Sequence, residues 1–290
     1  MTYRECYLKG RKRLEDAGVP EYDADARLLL EFVCGTDRNT LLAHGDMPVS
    51  EEKEEQYRKL LSGREKRIPL QLLTGSQCFY GLDFKVNEYV LIPRQDTEIL
   101  VETALRKLRP GMKILDMCTG SGCILISLLA IMDGVQGTGV DVSEDALKVA
   151  RENAGRILAK EKEPVWILSN LFSALFEKQE SGQAEKYDLI VSNPPYIKSS
   201  VVETLMPEVR DYEPRLALDG SEDGLLFYRR IVEESGHFLK ENGYLMFEIG
   251  YDQGEAVKRL MADAGFTEIE VKKDYAGLDR VVKGKLALGI

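Results

Sequence analysis

The sequence predicts an α/β protein, in which a mainly parallel sheet covered by helices on both faces follows a small helical bundle and a β-hairpin. Three observations carry this. From Tyr3 to about Leu73 apolar residues recur at helical spacing, as in Ala26, Leu29, Leu30 and Val33, with almost no β-branched run. Residues 78–92, CFYGLDFKVNEYVLI, alternate aromatic and β-branched residues around Gly81 and Asn87 until Pro93. From Lys113 onward, apolar strand-like runs alternate with amphipathic helical ones.

In order, breaks at Gly18-Val19-Pro20, Gly35-Thr36-Asp37 and His44 to Ser50 divide the helical region. Ser50 before Glu51 and Glu52 reads as an N-cap with an acidic first turn. The expected division is a helical domain over 1–75, a hairpin linker over 76–95 and an α/β domain over 96–290. Within the last, the pattern predicts strands at 113–116, 137–141, 165–168, 187–192 and 244–249. Helices are expected at about 96–108, 122–132, 143–160, 222–240 and 252–264. Two further runs, 267–272 and 280–287, are expected to pair as an antiparallel edge.

Composition narrows the function. With 290 residues, 44% hydrophobic and 30% charged, the chain has the balance of an ordinary globular protein. The longest strongly apolar stretch, 124–132, is interrupted by Ser127 and is far shorter than the roughly 20 residues of a membrane-spanning helix. The charged N-terminus is unlike a signal peptide, so a cytoplasmic location and no membrane partner are expected. Cysteines at 6, 34, 78, 118 and 123 form no C-x-x-C pair, and only His44 and His237 could join them, so neither a disulfide framework nor a metal site is expected. A net charge of −10 argues against direct DNA binding. Residues 1–75 are nearly neutral, with 13 Lys+Arg and 14 Asp+Glu, and the acidity lies in the remainder.

Two motifs suggest a nucleoside site. Lys113 to Gly122, KILDMCTGSG, runs a strand into a glycine turn, Cys118-Thr119-Gly120-Ser121-Gly122, whose backbone N–H groups can face a ligand at a helix start. One strand later Gly139-Val140-Asp141-Val142-Ser143 places a carboxylate where it can take both ribose hydroxyls, while Ser143 suits the helix cap. No phosphate-binding loop is present, which disfavours a nucleoside triphosphate. S-adenosylmethionine has the ribose, adenine and amino-acid tail but no phosphate, and Asp116 is a candidate to orient its ammonium.

A second signal is Asp188 to Ile197, DLIVSNPPYI, a buried strand ending in Asn193-Pro194-Pro195-Tyr196. Asn193 precedes a proline and is held away from the helical region, and neither proline has an N–H. A planar –NH₂ group could give its two hydrogens to the Asn193 side-chain oxygen and the Pro194 carbonyl, orienting its nitrogen for methyl transfer, with Tyr196 stacking on the plane. Asn193, Pro194 and Tyr196 are therefore the candidate catalytic residues, and all four the candidate substrate site.

These residues resemble one family closely, the protein-(glutamine-N5) methyltransferases that modify the GGQ glutamine of class 1 peptide chain release factors. The resemblance rests on FYGLDFKVNEYVLIPRQDTEILVE at 79–102, DMCTGSG at 116–122, GVDVS at 139–143, SNPPYI at 192–197, YEPRLALDGSEDGL at 212–225, FEIGYDQ at 247–253 and KDYAGLDR at 273–280. It implies a seven-stranded, Rossmann-like class I methyltransferase domain behind a helical domain that helps grip the release factor. It also implies S-adenosylmethionine as cofactor and S-adenosylhomocysteine as product. Cys118 to Gly122, Asp141, Asn170, Leu171 and Asn193 would border the cofactor, with Arg94, Thr97 and Glu98 nearby.

There are three departures from the family pattern. A segment usually like S-D-W-F is Ser169-Asn170-Leu171-Phe172, which removes an aromatic ring beside adenine. Cys118 stands where glycine is common, and Gln95 replaces a frequent proline. Other readings are a ribosomal-protein glutamine methyltransferase, a DNA adenine methyltransferase sharing NPPY, and a non-catalytic nucleoside-binding adaptor. Glu248 is expected to play a structural hydrogen-bonding role, and Arg11-Lys12-Arg13 to form a solvated helix face.

Overall fold

A computed structural model describes residues 1–182 and 185–287. The chain forms two compact units, one of Met1–Ser76 with Met206–Tyr212, the other of Gln77–Leu205 with Glu213–Ile290.

The first unit is built on α1 (Tyr3–Asp16), α2 (Tyr22–Cys34), α3 (Arg38–Ala43), α4 (Glu51–Glu65) and α5 (Leu70–Thr74). Thr2 and Glu5 form a reciprocal capping box on α1, and Ser50 caps α4 through the Lys53 N–H. The helical spacing in α2 buries Ala26, Leu29 and Leu30 against Cys6 and Leu14 of α1 and Leu61 of α4. Each of the larger aliphatic side chains contributes about 1.5–3 kcal/mol by leaving water. Arg11, Lys12 and Arg13, expected on a solvated helix face, pair with Asp23, Asp16 and Glu65; Lys12 is exposed and the two arginines are half-buried.

Met206–Tyr212 follows the NPPY strand in sequence, yet it packs with this helical unit. Arg64, 5% exposed, donates from Nε to Asp25 Oδ2 at 2.6 Å and from Nη2 to Glu208 Oε1 at 2.9 Å. Arg67 Nη2 reaches Glu208 Oε2 at 2.7 Å, and the Tyr212 hydroxyl donates to the Lys66 carbonyl at 2.7 Å.

The second unit opens at Gln77, within β1 (Ser76–Phe79), which pairs with β2 (Leu82–Lys85) in a two-stranded sheet closed at Tyr80 and Gly81. The hairpin is shorter than the 78–92 pattern suggested. Asn87 makes a turn, its Oδ1 accepting the Tyr89 N–H at 3.0 Å, and Val86, Val90 and Ile92 are buried outside any strand.

There follow α6 (Glu98–Leu105), β3 (Lys113–Met117), α7 (Cys123–Ile131), β4 (Gln136–Asp141), α8 (Glu144–Ile157), β5 (Val165–Leu168), α9 (Ser173–Glu180), β6 (Tyr187–Ser192), α10 (Ser199–Val202), α11 (Pro207–Arg210, in the helical unit), α12 (Leu226–Ser235), β7 (Leu239–Glu248), α13 (Gly254–Asp263), β8 (Phe266–Lys273) and β9 (Asp279–Leu286). The seven strands lie in the order β5-β4-β3-β6-β7-β9-β8. β5 to β7 are parallel, and β9 runs antiparallel to both β7 and β8. The closing pair is therefore threaded, with the later strand inside.

Strand side chains alternate between two cores. Leu115, Met117, Ile190, Leu245 and Phe247 face one that includes Phe172, Tyr228, Ile231 and Val257. Ile114, Leu189, Val191 and Met246 face another that includes Leu100, Leu125 and Leu128. The expected helix over 222–240 is shorter than its pattern because Phe238 and Leu239 enter the first core, and β7 begins at Leu239 rather than Tyr244.

Candidate active site

The functional motifs meet at the C-terminal ends of β3, β4 and β6, where strand order reverses direction around β3 and β6. Doubly wound sheets bind ligands at such a point. Met117 pairs with Ser192, and the Ser192 hydroxyl donates to the Met117 carbonyl at 2.6 Å, tying the glycine turn to the NPPY strand.

A cleft opens here. Of the residues expected beside a cofactor, Cys118, Thr119, Gly120, Ser121, Asp141, Asn170, Leu171 and Asn193 line it, together with Pro195. Asp141 accepts the Gly120 N–H on Oδ2 at 2.8 Å and the Ser143 N–H on Oδ1 at 2.9 Å. Burial raises its pKa and these backbone donors oppose the rise. Each oxygen keeps a lone pair for a further donor. Ser143, not Asp141, caps α8, its hydroxyl accepting the Ala146 N–H at 3.2 Å.

Gly120 has φ +56°, and a side chain there would meet no protein atom within 4 Å, so this stretch of backbone is open to a ligand. Cys118 also holds a left-handed φ of +62°, which costs a residue with a Cβ about 1–2 kcal/mol. That strain is a physical reason for glycine to be common at its place. Gln95 begins a single 3₁₀ turn, Gln95–Thr97, a position that proline also suits.

Asp116, expected to orient the ammonium directly or through water, leaves its Oδ1 buried and without a hydrogen-bond partner among the described residues. It is fully buried and absent from the cleft wall, and its Oδ2 accepts the Thr119 hydroxyl at 2.5 Å. Burial pushes its pKa up to about 7. The carboxyl braces the turn from behind. Gly122, Pro194 and Tyr196 are likewise outside the wall. The Tyr196 hydroxyl lies 3.4 Å from Glu248 Oε1, directed to a carboxyl that is 2% exposed and that burial pushes up to about 7.

Asn193 sits at the cleft with its Nδ2 donating to Thr97 Oγ1 at 3.5 Å, a contact at the long limit of hydrogen bonding. Thr97, at the start of α6, is 2% exposed. Among the described residues neither Asn193 Oδ1 nor the Pro194 carbonyl receives a hydrogen bond. Two acceptors without donors are what a planar –NH₂ group requires.

Further residues contribute from other elements. Gln253, on the turn into α13, donates from Nε2 to the Tyr196 carbonyl at 3.0 Å and to the Gly224 carbonyl at 3.2 Å. Ile197 and the 218–220 loop exchange backbone hydrogen bonds, Ile197 N to Leu218 O at 3.0 Å and Gly220 N to Ile197 O at 2.8 Å. Phe227 brings an aromatic ring to the cleft from α12, at a distance in sequence from Leu171. Pro214 and Leu216 line the cleft, and Arg94, also at the wall, forms an ion pair with buried Glu213. The family-like segments at 79–102, 212–225 and 247–253 include Arg94, Glu213 to Leu216 and Gln253, whereas nothing local points to Phe227.

A seven-stranded sheet of this order, with Asp141 and the NPPY turn meeting at one cleft, defines a class I methyltransferase. A family model described as "Methyltransferase small domain" matches residues 95–209, and one described as "PrmC N-terminal domain" matches 5–75. The chain is 42% identical over 287 residues to a release factor glutamine methyltransferase of Fusobacterium nucleatum, covering 98% of this chain and 79% of that protein. It is 41% identical to another of the same name from Geobacter sulfurreducens, covering 98% and 97%. A methyltransferase structure from Pyrococcus furiosus shares the fold, at TM-score 0.50 and 16% identity, over 72% of this chain and 91% of that one. The chain belongs to the release factor glutamine methyltransferase family.

Proposed function

We propose that the protein methylates the side-chain N5 of the GGQ glutamine in class 1 translation release factors, in the cytoplasm, with S-adenosylmethionine as donor and S-adenosylhomocysteine as product. The observation that carries this reading is the full-length similarity to release factor glutamine methyltransferases, joined to the donor-free Asn193 Oδ1 and Pro194 carbonyl.

The cleft suits the cofactor, because Asp141 has free lone pairs and the backbone at Gly120 is unobstructed. When bound, S-adenosylmethionine supplies a methyl group activated by its sulfonium. Asp141 takes the ribose hydroxyls, and the turn Cys118 to Gly122 faces the amino-acid portion. Asn193 Oδ1 and the Pro194 carbonyl accept the two hydrogens of the glutamine amide, fix its plane and stabilise the positive charge that develops on nitrogen. No strong base is needed before transfer, since the nitrogen proton becomes acidic as the bond forms. The nearly neutral helical unit, with its paired surface charges, helps hold the release factor.

Incubation with labelled S-adenosylmethionine should transfer label to a release factor and not to its GGQ Gln→Ala variant. Equal labelling of the two removes the glutamine assignment. Asp141→Ala should weaken cofactor binding by about 10- to 100-fold, the loss of hydrogen bonds to a charged group. Titration calorimetry with S-adenosylmethionine checks this, and an unchanged Kd would place the ribose elsewhere.

A further inference from the structure

The two prolines that make the NPPY turn rigid also remove its own means of attachment. Neither Pro194 nor Pro195 has an N–H, so backbone donors can secure the tetrapeptide only at its ends. Its start is secured by β6, where Ser192 is paired to Met117 and bonded to its carbonyl. Its far end is the Tyr196 carbonyl, and there the donor is a side chain, Gln253 Nε2, at 3.0 Å.

Gln253 is 7% exposed, and its hydrogen bonds account for both ends of its amide. Nε2 gives one hydrogen to the Tyr196 carbonyl and the other to the Gly224 carbonyl at 3.2 Å. Oε1 accepts the Gly250 N–H at 2.9 Å and lies 3.5 Å from the Tyr228 hydroxyl. Because a backbone N–H can only donate, Gly250 fixes which end of the amide is oxygen, and the NH₂ must face the two carbonyls. No other uncharged side chain of this shape offers two donors and an acceptor in that arrangement.

We infer that Gln253 is a positioning residue for methyl transfer, holding the Tyr196 carbonyl so that Asn193 Oδ1 and the Pro194 carbonyl stay aligned on the acceptor amide. The inference rests on the functional reading above. Gln253 is absent from the cleft wall and acts through the tetrapeptide rather than on the reactants. Displacement of positioning groups by about 1 Å can lower a rate on the order of 100-fold without abolishing binding.

The test replaces Gln253 by Glu, which has the same shape but, as a carboxylate, turns two donors into acceptors facing two carbonyl oxygens. Turnover on a release factor is measured per bound S-adenosylmethionine, so that any unfolded fraction is removed from kcat. Gln253→Glu is expected to lose about 100-fold in kcat, with the KM for the release factor and the Kd for S-adenosylmethionine changed by less than about threefold. Gln253→Met, of similar length and uncharged, is expected to lose at least about tenfold in the same parameter, since it has no donor. A purely structural role would lower binding stoichiometry and leave kcat per site intact, and that result overturns the inference. If the Glu variant does not fold, Gln253→Met decides, and a wild-type kcat per site in it also overturns the inference. A wild-type enzyme that fails to label the GGQ glutamine overturns instead the functional reading itself.

Discussion

Asn193→Ala is expected to remove glutamine methylation, lowering kcat by about 1,000-fold, the effect of deleting a preorganised group that faces developing charge. The Kd for S-adenosylmethionine should change by no more than about fivefold, because among the described residues the side chain of Asn193 bonds only to Thr97 Oγ1, and the proposed role of its free Oδ1 is to accept from the glutamine amide. Alanine deletes that oxygen and also leaves the Thr97 hydroxyl without its donor. Single-turnover methylation, read beside calorimetric cofactor binding, separates the two effects. Comparable losses in both would reassign Asn193 to the cofactor.

Gly224→Ala should be the most damaging single methyl addition near the site. Gly224 has φ +76°, and a Cβ built on it would lie 2.4 Å from the Tyr196 carbonyl oxygen and 2.8 Å from Gln253 Nε2. The left-handed conformation alone costs about 1–2 kcal/mol, and relieving the overlap requires moving backbone that carries the NPPY turn. A total loss of about 2–4 kcal/mol is expected, with a fall in kcat on the order of 100-fold. Gly277→Ala is the control, since Gly277 has φ +84° but nothing within 4 Å of an added Cβ, and it should show the conformational cost alone. Thermal denaturation and turnover are measured on both. Equal loss of stability and activity in the two variants would mean that the approach to Tyr196 has no consequence.

The parallel strands were legible because strands buried on both faces are apolar almost throughout, as Ile114-Leu115 and Leu189-Ile190-Val191 show. Where burial is partial the signal weakens. Only Leu175 of α9 is buried, and β7 passes through the polar run Lys240-Glu241-Asn242, so the sequence pattern gives no signal for the first and marks only the later part of the second. The attachment of Met206–Tyr212 to the helical unit depends on Arg64 and Arg67 meeting Glu208 across more than 140 residues, a pairing no local pattern records.

The same division applies at the site. The glycine turn, Asp141 and Asn193 are local features whose chemistry follows from a few adjacent residues. Asp116 is expected to orient the ammonium directly or through water; its Oδ2 is taken by the Thr119 hydroxyl and its Oδ1 has no partner among the described residues, a division no local pattern records. Gln253, Gly224 and Thr97 act on the tetrapeptide from other elements, and their roles exist only once the sheet has brought those elements together.

The threading of β9 between β7 and β8 has a consequence for the order of assembly. β8 leaves α13 first, yet its one neighbour in the sheet is the strand that comes after it. It has no place to add until β9 has formed, so the two strands must join as a hairpin or β9 must arrive first. Until then β7 is the open border of the sheet, with its backbone donors and acceptors exposed. The Ile249 N–H at the end of β7 is satisfied by the Arg280 carbonyl at 2.9 Å, so the border beside Glu248 closes only when this last strand is in place.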